Sequence, residues 1–104
     1  MQLYFWGLNA TAADILATRT LLNARQKAYR DVSPGAGSYL GESDHEEPNF
    51  QQSFYGKHYA RLLKIKGQVD PWDVFWAKTA VGSEGWAVRT GDVLGDENGV
   101  RCRV

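Results

Sequence analysis

The chain is 104 residues long, and its twelve Lys plus Arg balance twelve Asp plus Glu to a formal net charge of zero. That balance argues against a nucleic-acid binder or a polybasic membrane anchor, both of which rely on a one-signed field, and no apolar run approaches the ~20 residues that span a bilayer. Cys102 is the single cysteine, which excludes an internal disulfide framework and a multi-cysteine metal site.

Met1-Gln2-Leu3-Tyr4-Phe5-Trp6 is short, apolar and aromatic and is closed by Gly7, the pattern of a strand. It lacks the basic start, long apolar middle and small-residue cleavage site of a signal peptide. Asn9-Ala10-Thr11 has the form of a glycosylation sequon, but the favoured reading is that Asn9 or Thr11 caps the helix that follows. From Ala12 to about Arg30 there is no Gly or Pro. Ile15, Leu22 and Tyr29 recur there at heptad spacing with Leu16 beside them, which predicts an amphipathic helix. Asp14 near its start and Arg25, Lys27 and Arg30 near its end suit the helix dipole.

Ser33-Pro34-Gly35-Ala36-Gly37 is turn chemistry that ends this helix. Ser38-Tyr39-Leu40 is a brief strand candidate, followed by the acidic loop Glu42-Ser43-Asp44-His45-Glu46-Glu47-Pro48. A second helical region is expected from near Asn49 to Val69, broken at Gly56, with His58, Leu62, Ile65 and Val69 on one face. Asp70-Pro71 stops it, because a residue before proline disfavours helical geometry. Beyond Trp76 the chain is rich in Gly and polar residues and reads as an irregular tail. Aromatic residues make 12% of the chain and crowd between Tyr39 and Trp86. Each ring brings ~150–250 Å² of surface to cover, more than the thin core of so short a chain is expected to hide. Either these rings line a binding face or they pack against protein outside the chain.

Residue chemistry alone establishes no catalytic site. Glu42, Asp44, Glu46 and Glu47 with His45 have the oxygen ligands for a hard cation, but the loop matches no calcium-loop pattern and reads better as solvated. His45 and His58 lack the further ligands that zinc requires, and His58 reads as a helix-face residue. Gly35-Ala36-Gly37 lacks the third glycine and following helix of a dinucleotide fingerprint. Ser38, Ser43, Ser53 and Ser83 lack the flanking glycines of a nucleophile elbow. Cys102 sits in the basic run Arg101-Cys102-Arg103 with no base nearby in sequence. Lys57, Arg61, Lys64 and Lys66 among aromatics suggest single-strand stacking only weakly, given the acidic loop just before them.

The run from Pro34 to Glu84 is more specific. Pro34-Gly35-Ala36-Gly37-Ser38-Tyr39-Leu40-Gly41-Glu42-Ser43-Asp44, Glu47-Pro48-Asn49-Phe50-Gln51-Gln52-Ser53-Phe54-Tyr55-Gly56, Tyr59-Ala60-Arg61-Leu62-Leu63-Lys64-Ile65-Lys66, Asp70-Pro71 with Phe75, and Val81-Gly82-Ser83-Glu84 follow one another. This series closely resembles the C-terminal end of fungal berberine-bridge-enzyme-like, FAD-linked oxidoreductases. The terminal Arg101-Cys102-Arg103 also resembles the way many fungal members finish.

The resemblance implies an α+β fold. Residues 1–47 would be the end of a substrate-binding domain, with the last strand and helix of its sheet and then a further strand. Residues 48–84 would be the berberine-bridge-like C-terminal segment, and 85–104 an irregular tail. All of it would pack on a PCMH-type FAD-binding domain missing from this chain, with the crowded aromatics as the seam. Family members move a hydride from an alcohol, amine or allylic carbon onto the flavin and pass electrons to dioxygen. Their FAD is commonly attached through a histidine and a cysteine of the N-terminal part, so Cys102 is not expected to be the flavin-linking cysteine. Tyr39 and Asp44 match the ends of the family's Tyr-x-Asn-x-x-Asp stretch, which lies on the substrate side of the flavin. Glu42 stands where several oxidases carry a tyrosine proposed to help deprotonate the substrate, and Gly41 replaces the Asn. Glu42 and Tyr39 are therefore the catalytic candidates, with Asp44 and Gly41 at a substrate-side pocket. The implied partners are an N-terminal FAD-binding domain or subunit, a small-molecule substrate, and, through an unpaired edge strand, a second copy of the chain. Many fungal relatives are secreted, with any signal in the N-terminal region. Two alternatives stand beside this reading: a small non-enzymatic binding or oligomerising protein descended from the family, and a flavin-free small enzyme that kept the pocket around Tyr39 and Glu42.

Overall fold

Helix α1 (Ala12–Val32) begins where Thr11 leaves extended backbone at φ −76°, ψ 163°. Thr11 Oγ1 accepts the Asp14 amide N–H at 3.2 Å, and Asp14 Oδ2 accepts the Thr11 amide N–H at 2.8 Å, a reciprocal capping box. Thr11 is thus the cap, and the third residue of the formal sequon is engaged in starting a helix. Its hydrogen bonds hold the Asp14 carboxyl below the usual carboxylate range. At the other end the Ser33 hydroxyl donates to the Tyr29 carbonyl at 2.6 Å, and the helix stops just before Pro34, slightly beyond the expected Arg30. Ile15 and Leu22 are half-buried, whereas Leu16, Leu21 and Tyr29 are exposed, and no residue of α1 is buried.

The computed structural model describes residues 5–89 and 99–104. The expected opening strand lies mostly outside them, and its described residues Phe5 and Trp6 carry no regular structure. The described residues fall into two units, residues 5–34 with 88–89 and 99–101, and residues 35–87 with 102–104.

In the second unit the strand expected at Ser38–Leu40 is a 3₁₀ turn over Leu40–Glu42. The Glu42 amide donates to the Tyr39 carbonyl at 3.1 Å, and the Ser43 hydroxyl reaches the same carbonyl, so local bonds replace a ladder. The expected helical region is present in three pieces. A single π turn covers Gln51–Tyr55, a 3₁₀ turn covers Gly56–His58, and helix α2 runs over Tyr59–Val69. The break falls at Gly56, whose φ of 53° and ψ of −138° suit a residue without Cβ. Helix α2 stops at Asp70, before Pro71.

The tail expected to be irregular carries regular structure. Strand β1 (Trp86–Arg89) pairs with β2 (Val100–Arg103) in a two-stranded sheet. Four-residue strands in Gly-rich sequence leave little alternation to read, and only pairing stabilises them. The architecture of the described residues is thus a mix of helices and one small sheet. Among them no hydrophobic side chain is buried; the buried residues are Asp70, Thr79 and Ser83.

Candidate functional site

The four site candidates lie on one short stretch that is fastened to the π turn. The Ser38 amide donates to the Ser53 carbonyl at 2.8 Å, and the Ser53 hydroxyl donates to Glu47 Oε1 at 3.1 Å. Ser38 and Ser43 hydroxyls lie 3.0 Å apart across the turn. Between them, Tyr39 is 74% exposed, and Leu40, Gly41 and Glu42 are exposed as well. Tyr39 and Glu42 therefore emerge from the same 3₁₀ turn, a phenol and a carboxylate on one backbone loop.

Asp44 is half-buried and serves the loop itself. Its Oδ1 accepts the Glu46 amide N–H at 2.9 Å, its carbonyl accepts the Glu47 amide at 3.1 Å, and His45 Nδ1 lies 3.9 Å from Oδ1. The acidic loop is therefore shaped by its own carboxylates. Among the described residues no group of three or more His, Cys, Asp or Glu side chains gathers to hold a metal ion. His58 is exposed at the start of α2, and Cys102 is half-buried in β2.

Two polar networks fix the backbone between Tyr55 and Trp86, and residue-by-residue reading had not assigned them. In the first, the Tyr59 hydroxyl donates to the Glu84 carboxylate, at 2.5 and 2.6 Å from its two oxygens, and accepts the Gly82 amide N–H at 3.1 Å. Tyr55 donates to the Thr79 carbonyl at 3.0 Å, holding Thr79 at a φ of 63°, unfavourable for a β-branched residue. Phe50 meets Tyr59 edge-on with centroids 6.1 Å apart, and Tyr55 tilts against Tyr59 at 5.7 Å. Burial first, then the Glu84 bond, pushes the Tyr59 hydroxyl up to about 12, against a smaller opposing effect of the Gly82 N–H.

In the second network the Asp70 carboxylate accepts the amides of Val74 at 2.8 Å and Phe75 at 3.0 Å, and it pairs with the Lys66 ammonium. Lys66 Nζ also donates to the Phe75 carbonyl at 2.6 Å. The Lys66 bond, followed by the two amide bonds, holds the Asp70 carboxyl below the usual range despite its burial. Asp73 accepts the Trp86 indole N–H at 2.8 Å, and the Arg103 guanidinium lies 5.0 Å from the Trp86 ring centroid. The one sequence signal for this network was the i,i+4 spacing of Lys66 and Asp70 beside the helix stop.

The comparisons with known proteins match this segment. The family model described as berberine and berberine-like matches residues 38–82, from the serine that anchors the site turn to the glycine bound by Tyr59. The chain is 44% identical over 73 residues to the FAD-linked oxidoreductase patO of Aspergillus clavatus, covering 70% of this chain and 12% of that protein. It is 38% identical over 99 residues to the VAO-type flavoprotein oxidase VAO615 of Thermothelomyces thermophilus, covering 94% of this chain and 16% of that one. A crystal structure of the VAO-type flavoprotein MtVAO615 from Myceliophthora thermophila C1 superposes with a TM-score of 0.76 at 38% identity, over 95% of this chain and 17% of its own.

This chain is homologous to the C-terminal part of berberine-bridge-like FAD-linked oxidoreductases.

It corresponds to the C-terminal region of these fungal flavoproteins and spans about one-sixth or less of the length of the relatives named above. Association with FAD is thereby a property of the family. In this berberine-like segment Tyr39, Leu40, Gly41 and Glu42 stand on an open turn, which does not by itself enclose a flavin ring or cradle its pyrophosphate. The exposed turn is thus not a whole flavin pocket.

Proposed function

We propose that this chain supplies the C-terminal part of an FAD-linked oxidoreductase that transfers a hydride from a small-molecule substrate to the flavin and is reoxidised by dioxygen. The observation that carries the reading is the coincidence of the berberine-like match, residues 38–82, with the fastened turn that presents Tyr39 and Glu42 together. Residues that hold the flavin come from an N-terminal domain or subunit, and the chain by itself is not competent. Glu42 takes a proton from the substrate, and the Tyr39 phenol orients the group that loses it. A base so placed typically contributes ~10²–10⁴ in rate. Asp44 contributes by shaping the loop that follows them, and Gly41, without a side chain, leaves room beside the Tyr39 ring.

Reconstitution tests the proposal. The chain titrated with FAD alone is expected to leave flavin fluorescence unchanged, whereas the same chain joined to the N-terminal portion of a relative such as the oxidase VAO615 is expected to retain a flavin band through gel filtration. Stoichiometric FAD capture by the chain alone would contradict this division of labour.

One observation favours a second reading, a non-enzymatic binding or self-associating protein. Leu8, Leu16, Leu21 and Val32 are exposed in the first unit, and the described residues bury no hydrophobic side chain. A colourless chain that folds and forms defined oligomers would support it.

A further inference from the structure

The Tyr39 ring does not extend straight from its turn. Its Cε1, Cζ and Oη lie 3.0, 3.0 and 3.1 Å from the point that a Cβ on Gly41 would occupy. Comfortable carbon contacts begin at about 3.5 Å, so a Cβ at position 41 would press on the hydroxyl edge of the phenol, and the ring would have to give by a few tenths of an ångström. The backbone of the turn is held by other bonds: Glu42 amide to Tyr39 carbonyl at 3.1 Å, Ser43 amide to Leu40 carbonyl at 3.3 Å, and Ser38 amide to Ser53 carbonyl at 2.8 Å. Tyr39 is 74% exposed, so its ring has open solvent to swing into. A clash at position 41 is therefore relieved by the ring and leaves the turn in place.

We infer that Gly41 is the positioning residue for Tyr39: its missing side chain is what allows the phenol hydroxyl to fold back over the turn that also carries Glu42. The residue at 41 thereby acts as a specificity determinant. With glycine, a substrate bearing a hydroxyl or amine meets phenol and carboxylate on one turn, and with a larger residue it meets the carboxylate alone. The relevance to substrate rests on the function proposed above, whereas the ring position does not. The test below reads the two separately.

The first arm is nuclear magnetic resonance of the chain labelled at glycine and tyrosine. The Gly41 Hα resonances are expected to be displaced by the Tyr39 ring current and to lose that displacement in Tyr39→Leu. In Gly41→Ala the ring is expected to shift, changing the intensities of the cross-peaks between it and the position-41 Hα, while those between Ser38 and Ser53 persist. Gly41 resonances unchanged by Tyr39→Leu would overturn the inference, as would loss of the Ser38–Ser53 contact in Gly41→Ala, which would make Gly41 a backbone requirement. The second arm places the variants in a flavin-loaded fusion with a relative's N-terminal portion. Gly41→Ala and Tyr39→Leu are expected to lower kcat/KM by similar factors, and the double variant by no more than either. Multiplying losses would overturn the inference. Failure of that fusion to load flavin would count against the proposed function and leave the ring-current result standing on its own.

Discussion

The Tyr59 hydroxyl donates to Glu84 across 25 positions of sequence while accepting the Gly82 amide, so one phenol closes the turn that leads into β1 onto the start of α2. Tyr59→Phe keeps the ring contacts with Phe50 and Tyr55 and removes only the hydroxyl. The expected cost is about 1 kcal/mol, read as a lower urea midpoint at unchanged slope.

The same hydroxyl, shielded by burial and bonded to Glu84, predicts an alkaline limit. The hydroxyl titrates near 10.0 in the unfolded chain and at about 12 in the fold. The unfolded state therefore loses its proton first, and the stabilisation is complete below pH 10.0 and lost as pH rises toward about 12. Urea midpoints measured across that range should fall more steeply for the native sequence than for Tyr59→Phe. Parallel curves would show that burial and the Glu84 bond together do not raise the Tyr59 hydroxyl.

Asp70 gives the acid counterpart. Its carboxyl is held below the ordinary value of 3.8, so its stabilisation is present above that value and lost as pH falls through the lower folded one. Val74 and Phe75 donate to different oxygens of Asp70, so Asp70→Asn keeps an acceptor for one amide and removes the nearer of the two carboxylates facing Lys66, whereas Asp70→Ala takes the acceptor from both amides. Thermal melts are expected to rank native above Asn above Ala, with the native lead over both variants narrowing in acid.

Much of this framework was legible in sequence where a local cause sufficed. Thr11 before a Gly- and Pro-free run, Gly56 inside a helical stretch and Asp70 before Pro71 each determine their own backbone. Ser38–Leu40 misled because two apolar residues suggest a strand, while Gly41 and the Ser43 hydroxyl close a turn that pattern alone does not reveal. Strands β1 and β2 were hidden for a different reason: each depends on a partner separated by a Gly-rich stretch. The site candidates Tyr39 and Glu42 came from family likeness, and the structure adds that one fastened turn carries both. Tyr59 with Glu84 could not be paired by spacing, since long-range bonds leave no periodic trace.

The helix start offers an independent check. Thr11→Ala removes the cap of α1 and should cost about 0.5–2 kcal/mol, seen as reduced helical ellipticity and earlier melting. Thr11→Ser retains the hydroxyl and should restore most of it. If Asn9 were the cap, Asn9→Ala would carry the loss and Thr11→Ala would be silent.

Catalysis is probed most simply at Glu42. In a flavin-loaded protein containing this segment, Glu42→Gln is expected to slow anaerobic flavin reduction by about 10²-fold or more with little change in substrate affinity. Reoxidation by air should proceed at the native rate. A native rate of flavin reduction in this variant would remove Glu42 from the chemistry.

The central claim is that this segment works as part of a flavoprotein, and isolation of the native protein from its source tests it most directly. Its intact mass and visible absorption spectrum would be recorded together. The account predicts a flavin band on a polypeptide or complex well above 11.6 kDa. A colourless, folded species of 11.6 kDa would contradict it.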